Sequence, residues 1–317
     1  MSAAKEDAQY GPLVRVRFGY CLAAGDESDP VVMAQRAEAF GFDTVLVPDH
    51  VGSGTAPMVT LAAIARATNR IRLGTFVLNN DMRNVVQLAW EAATLDRLSG
   101  GRFELGLGAG HTPQEYEATG IERRVASHRK RRVCEAVEVL RPLLAGEPVT
   151  YYGKFVQVDG AQIEGAAQAH LPLLVGGNGT TLLEHAGQYA DIIGLQGLGR
   201  TGPDGHSHTV RWQRSWLVEQ LQQIRNGKER RLDGRDVEIN ALVQVVAITD
   251  DAAGVYTSLC ERIEGLAIDD ALATPYLLVG SVDEIAAKID RLAAENGITY
   301  FAVGTLDDFA PAIDALR

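Results

Sequence analysis

The decapeptide Gly-Phe-Asp-Thr-Val-Leu-Val-Pro-Asp-His, residues 41–50, ends on an adjacent carboxylate and imidazole, Asp49 and His50. Imidazole is the side chain most readily poised to hold or release a proton near neutral pH. The apolar run Thr44–Val47 ahead of it reads as a central strand of a parallel sheet covered on both faces. Ligands of parallel α/β folds gather at the carboxyl ends of such strands, so this is where an active site would sit. The plainer alternative is that Asp49 caps the following turn and His50 sits half exposed. The preceding segment, Pro30–Phe40, has apolar residues at Val31, Met33, Ala34, Ala37 and Phe40, with Asp29 placed to cap its start and Gly41 to stop it.

Two glycine-rich turns add binding chemistry. Gly106-Leu-Gly108-Ala-Gly110 follows a strand-like segment, but its Gly-x-Gly-x-Gly spacing and the nearby Pro113 make it a weak dinucleotide fingerprint. The other reading is that these glycines let the chain leave its strand with the backbone pressed against a flat ligand. Gly176-Gly177-Asn178-Gly179-Thr180-Thr181 leaves the apolar run Leu171–Val175 and opens a helix, so free amides and the positive helix end converge where a phosphate fits. An aspartate at position 177 is expected to repel that phosphate while leaving the fold intact. An ordinary N-cap by Asn178 or Thr180 is the alternative. Arg129-Lys130-Arg131-Arg132 opens a long helix, where a charge run is usually a solvated face. His206 and His208 lie in a Gly-rich insertion, and His185 lies inside a helix as a structural residue. No hydrolase, zinc-protease or phosphate-loop motif is present.

Strand-like and helix-like segments alternate along the chain. Val14–Tyr20 precedes the helix to Phe40; Thr44–Val47 precedes Met58–Thr68; Ile71–Val77 precedes Val85–Leu98; Arg102–Leu107 precedes Ser127–Leu144. Then Leu171–Val175 precedes Thr180–Tyr189, Asp191–Leu195 precedes Val210–Asn226, Glu238–Ile248 precedes a helical stretch, and Ile298–Val303 precedes Phe309–Leu316. Eight such units close most naturally into a (β/α)8 TIM barrel, with a doubly wound sheet as the alternative. Three insertions interrupt the series: Val149–Gly160, read as a hairpin; Gly197–His208; and Ala267–Ser281 before a second helix, Val282–Glu295.

The chain has 317 residues, 46% of them hydrophobic, which is enough for one large core and a single domain over 1–317. A formal net charge of -11 argues against nucleic acid or an anionic membrane as partner. Cys21, Cys134 and Cys260 are odd in number and widely spaced, so no disulfide framework or metal site is expected, and all three read as reduced and structural. Without a signal peptide or an apolar run of membrane-spanning length, the expected location is cytoplasmic.

Taken together, these motifs resemble the bacterial-luciferase-like flavin and deazaflavin oxidoreductases. The resemblance is carried by the strand ending in Asp49-His50, by Leu-Gly-Thr-Phe-Val-Leu at the third strand, Gly-Gly-Arg-Phe-Glu-Leu-Gly-Leu-Gly-Ala-Gly at the fourth, Leu-Leu-Val-Gly-Gly at the fifth and Leu-Val-Gly-Ser-Val-Asp-Glu-Ile near the end. It implies a barrel using FMN or the deazaflavin coenzyme F420, and the Asp-His ending is closer to the deazaflavin branch.

On matching positions the resemblance implies that Asp49 and His50 face the ring system, His50 as hydrogen-bonding group or base. Phe76 and Val77 would form a bulge behind the ring, often with a non-proline cis peptide, and Asn79 would touch the ring edge. Gly108 and Gly110 would admit the ring, and Gly176, Gly177, Asn178, Gly179 and Thr180 would hold the phosphate. The basic run from Arg129 would be available to the cofactor's anionic tail, and a homodimer is implied.

Sugar-phosphate dehydrogenases of the deazaflavin branch carry a glutamate where this chain has His111, and a tryptophan where it has Val51-Gly52-Ser53-Gly54. Glucose 6-phosphate is therefore not the expected substrate, and His111 is expected to act in substrate binding or proton delivery. The expected activity is hydride transfer between coenzyme F420 and a small organic carbonyl, alcohol or activated alkene. The alternatives are an FMN-dependent two-component monooxygenase and a catalytically silent flavin-binding barrel.

Overall fold

The computed structural model describes residues 15–23, 28–202 and 208–316. Val14 and His206 lie outside them, as does the side chain of His208. Eight parallel strands form the barrel: β1 Arg17–Cys21, β2 Thr44–Val47, β3 Arg72–Thr75, β4 Phe103–Gly108, β5 Leu173–Gly176, β6 Ile192–Leu195, β7 Glu238–Leu242 and β8 Ile298–Val303. Each pairs with its sequence neighbour, β8 returns to pair with β1, and the β3–β4 pairing completes the ring. The (β/α)8 expectation holds, and the doubly wound alternative falls with that closure.

The helices on the outside are α1 Pro30–Ala39, α2 Pro57–Ala67, α3 Val85–Ser99, α4 Ala126–Leu144, α5 Thr180–Tyr189, α6 Arg214–Lys228, α7 Val282–Asn296 and α8 Ala310–Ala315. Their ends follow local chemistry. Asp29 caps α1 through a 2.8 Å bond from the Val31 amide, and Ser281 with Glu284 forms a capping box on α7.

Strand residues alternate between two cores, as the two-residue period of a pleat requires. Val45, Val47, Leu173, Val175, Ile193 and Phe301 join the large cluster shared with the helices. Leu46, Leu174, Ile192, Tyr300 and Ala302 form a second cluster with Phe76 inside the barrel. Gly19 makes room there, since a Cβ on it would lie 2.8 Å from Leu46 Cδ1 and 3.0 Å from Tyr300 Cε2. Below this layer the barrel is closed by charge. Arg17 bonds Glu104 at 2.8 Å and Glu238 at 2.5 Å, Arg72 bonds Glu104, and the Arg17 guanidinium lies 4.2 Å from the Tyr300 ring centroid. Burial pushes the Glu104 carboxyl up, but Arg17 and Arg72 outweigh it and hold the group below the usual carboxylate range.

Three expected elements differ. The run Ile71–Val77 is not one strand: β3 stops at Thr75, and Leu78–Asn79 resumes pairing with Leu107 and Gly108 of β4. From Gly74 to Leu78 is one residue more than from Glu104 to Leu107, which makes a bulge at Phe76-Val77. The peptide bond between those two residues is cis. The run Glu238–Ile248 breaks after Leu242, and Val245–Ile248 pairs in parallel with Leu277–Gly280 outside the barrel. The helix expected from Val210 begins at Arg214, because Val210 pairs with Leu198 in a hairpin. The hairpin expected over Val149–Gly160 is present as Val149–Tyr152 against Gln157–Ala161.

Candidate active site

A cleft of about 790 Å³ opens at the carboxyl ends of the strands, lined by residues that follow seven of the eight, from Leu22 after β1 to Gln244 after β7. This volume is in the range of small-molecule and cofactor sites.

His50 stands at one side of the cleft, and its Nδ1 lies 2.8 Å from Glu115 Oε1. The glutamate side chain is 7% exposed and that of His50 26%. The His111 ring meets His50 edge-on, with centroids 5.7 Å apart. The two histidines expected at the mouth are thus brought together. The carboxylate between this pair and the protein interior was not foreseen. Glu115 sits 65 residues from His50, in the first turn of the short helix Pro113–Thr119. Its only local signal is the Thr-Pro-x-Glu pattern of a helix start.

Asp49 does not cap the turn after it. Its Oδ2 accepts from the Asn79 amide at 2.8 Å and lies 2.9 Å from Arg83 Nη1, while Oδ1 accepts from Arg83 Nη2 at 3.1 Å. The carboxylate borders the cleft but is engaged within the protein, so it holds the segment after the bulge in register.

Asn79 is 5% exposed. Its Oδ1 accepts from the Asp81 amide at 3.1 Å and from the Tyr116 hydroxyl at 3.3 Å, which fixes the orientation of the amide. Its Nδ2 is buried and finds no hydrogen-bond partner among the described residues. A buried donor left in that state at a cleft wall is complementary to a ligand acceptor.

Three of the cleft glycines also make room for neighbouring side chains. A Cβ on Gly108 would lie 2.5 Å from Val77 Cγ2, one on Gly176 3.0 Å from Val77 Cγ1, and one on Gly110 2.3 Å from Asn79 Oδ1. These glycines therefore make room for Val77 and Asn79, and all five residues border the cleft.

At the other side, Gly179 is the N-cap of α5 at φ +94° and supplies no side-chain cap, while Asn178 donates to Leu198 O at 2.8 Å. The capping roles weighed for Asn178 and Thr180 are therefore not those observed, and the first amides of α5 retain their anion-binding character. The space a Cβ on Gly179 would occupy is 2.8 Å from Lys130 Nζ, and Lys130 lines the cleft. Burial, with Arg129 nearby, lowers its pKa. Gly177, at φ +147°, has Leu182 Cδ2 2.7 Å from its Cβ position, so an aspartate there strains the fold as well as any ligand contact.

The basic run is not a uniformly solvated face. Arg129 is buried and donates to the carbonyls of Ala109, Gly110 and Arg124, and Arg132 donates to those of Phe155 and Arg83. Cys21 borders the cleft, its thiol pushed by burial up to about 12, whereas Cys134 belongs to the core as expected. His185 bonds Glu138 at 2.9 Å, in keeping with a structural role. Among the described residues no group of His, Cys, Asp and Glu could hold a metal ion, and no helix is long and apolar enough to cross a membrane.

The closed (β/α)8 barrel thus brings a His50–Glu115 pair to one side of its mouth and an uncapped helix start with a lysine to the other. The chain belongs to the luciferase-like monooxygenase family, whose sequence model matches residues 22–209. It is 36% identical over 172 residues to the 5,10-methylenetetrahydromethanopterin reductase of Methanolobus tindarius, covering 52% of this chain and 50% of that protein. It is 32% identical over 186 residues to an F420-dependent glucose-6-phosphate dehydrogenase of Nakamurella multipartita, covering 56% of this chain and 55% of that protein. The matches thus span about half the length of these relatives. A solved F420-dependent secondary alcohol dehydrogenase shares the fold with a TM-score of 0.72 at 22% identity, covering 96% of this chain and 100% of that one.

Proposed function

We propose that the protein is a coenzyme F420-dependent oxidoreductase that moves a hydride between that deazaflavin and a small organic substrate at a CH–OH, C=C or C=N group. The observation that carries this reading is one cleft with His50 at one side and the uncapped start of α5 with Lys130 at the other. The residues fit such a ligand. Asn79 Nδ2 lacks a partner that a ring carbonyl supplies, Val77 offers an apolar step for a flat ring, and Asn178, Gly179 and Thr180 with Lys130 offer amides and charge for a phosphate, the Gly177 amide being taken by Gly194 O. Bound there, a deazaflavin supplies a two-electron hydride carrier without a useful oxygen adduct.

The protein's own contribution is protonic and positional. His50 takes the proton of an alcohol being oxidised, or returns one to a carbonyl or alkene being reduced. His111 borders the same space and contacts substrate. Asp49 and Arg83 hold Asn79 in place without exchanging protons. The relative named as an F420-dependent glucose-6-phosphate dehydrogenase supports the cofactor assignment. The description of the family itself favours the second reading, an FMN-dependent monooxygenase.

The test is titration of the apo protein with coenzyme F420 and with FMN, followed by fluorescence quenching, then a turnover survey with reduced and oxidised cofactor. Tighter binding of F420 and hydride exchange with an alcohol, ketone or enone supports the proposal. Equal or tighter FMN binding overturns it, and binding of either without turnover indicates a silent barrel. The homodimer belongs to the same proposal. An apolar groove between α2 and α3, with Val59 72% and Trp90 62% exposed, is the surface a second copy would cover.

A further inference from the structure

We infer that Glu115 is a positioning residue that fixes the tautomer of His50 and carries the charge opposite its protonated form. The inference rests on the proposed role of His50 only for its kinetic consequence, since the tautomer itself is a property of the free protein.

The geometry leaves little alternative. The contact between His50 Nδ1 and Glu115 Oε1 is 2.8 Å, an ordinary distance for a strong N–H to carboxylate bond. A carboxylate only accepts, so Nδ1 has to be the protonated nitrogen whenever the bond is made, and Nε2 becomes the nitrogen that accepts from a substrate. The glutamate itself has no freedom to be elsewhere. It is 6% exposed, in the first turn of Pro113–Thr119, and that helix is anchored through Tyr116 to Asn79 and ends in Gly120 at φ +68°. His50, on the rigid exit of β2, is therefore gripped from behind by a different structural element. When Nε2 takes a proton, the imidazolium stays paired with a carboxylate already in place, so no reorganisation is needed as charge develops. The contact is also directional along the chain. His111 occupies the position directly after the fourth-strand glycines, and the acidic group arrives one helical turn later, bonded to His50 at the edge of the same cleft.

The experiment uses the whole protein and two substitutions. Glu115→Ala removes the acceptor, and Glu115→Gln keeps a neutral acceptor of the same shape. In ¹⁵N-edited NMR of the imidazole at a pH where His50 is neutral, the wild type is expected to show the Nδ1-protonated tautomer in large excess. Glu115→Ala is expected to lower that excess about tenfold, and Glu115→Gln to retain most of it. In turnover, kcat is expected to fall about 10²-fold in the alanine variant and about tenfold in the glutamine variant, with KM and cofactor affinity within threefold. An unchanged tautomer ratio in a folded Glu115→Ala protein overturns the inference. Should the alanine variant fail to fold, a glutamine variant with wild-type kcat overturns the charge role by itself. A tautomer shift in Glu115→Ala with wild-type turnover supports the inference about Glu115 and instead removes the proton-handling role proposed for His50.

Discussion

Replacing Gly108 by alanine sets a methyl group 2.5 Å from Val77 Cγ2. Carbon atoms in contact rest about 3.5–4.0 Å apart, so Val77 has to withdraw by about 1 Å. Its other methyl already packs against Gly176, whose Cβ position is 3.0 Å away, so the easy escape is upward into the cleft. Overpacking of this kind costs about 1–3 kcal/mol, and a methyl group lifted into the floor is expected to weaken ligand binding about tenfold, or about 1.4 kcal/mol. If Val77 is the only group in the way, Val77→Ala relieves the strain, and the double variant is more stable than the sum of the single effects by about 1–2 kcal/mol.

Gly106 provides the control. A Cβ there would lie 2.0 Å from the Thr75 carbonyl oxygen, which is backbone of the adjacent strand, so Val77→Ala cannot rescue Gly106→Ala. The assay is urea denaturation of the six proteins with constant m-value, paired with cofactor titration of those that fold. Additivity of Gly108→Ala and Val77→Ala within about 0.5 kcal/mol, or equal rescue at Gly106, refutes the reasoning.

Further outcomes are expected elsewhere. His50→Ala should keep cofactor affinity within about tenfold while lowering turnover about 10²- to 10⁴-fold, read by parallel binding and steady-state assays. Lys130→Ala should weaken cofactor binding about tenfold and flatten its dependence on salt, measured by titration between low and high ionic strength. Burial, with Arg291 nearby, pushes the Lys288 ammonium down to about 7, although its Nζ donates to Ala271 O and Tyr256 Oη. Between that value and the ordinary lysine range the unfolded chain binds the extra proton, so stability should rise with pH there. The full penalty, about 5 kcal/mol, is in force below about pH 7. Lys288→Met should therefore be more stable than wild type at pH 7 by about 1–3 kcal/mol and lose that rise, as checked by denaturation at pH 7 and 9.5.

Contiguous features were legible in the sequence. The apolar run Thr44–Val47 followed by Asp49-His50 specifies strand and exit in one stretch, and Gly176 to Thr180 carries its helix start in the same way. Contacts between distant segments left no such trace. Glu115 and Arg83 reach His50 and Asp49 from 65 and 34 residues away, and nothing in their own neighbourhoods distinguishes them from surface charges. Arg129 is an intermediate case. It lies on the helical stripe continued by Val133, Ala136 and Leu140, all buried, so spacing along α4 marks it as inward-facing even though its neighbours are charged. The break after Leu242 had no signal, since Glu238–Ile248 has no glycine or proline, and its position depends on where Leu277–Gly280 returns to pair. The close approach of Val77 to Gly108 and of Asn79 to Gly110 was hidden for a related reason. A glycine announces that something approaches closely, and only the folded chain shows whether that is a ligand or Val77 and Asn79.

The charged closure formed by Arg17, Glu104, Arg72 and Glu238, with Tyr300, Phe76 and Leu174 packed above it, turns the cleft into a well with a solid bottom. Traffic runs through one mouth. Of two molecules that share such a well, the deeper one is trapped until the shallower one has left. On the proposed function, a carrier seated against Val77 would wait for the product above it to depart, and the shape of the well alone would set that order of exchange.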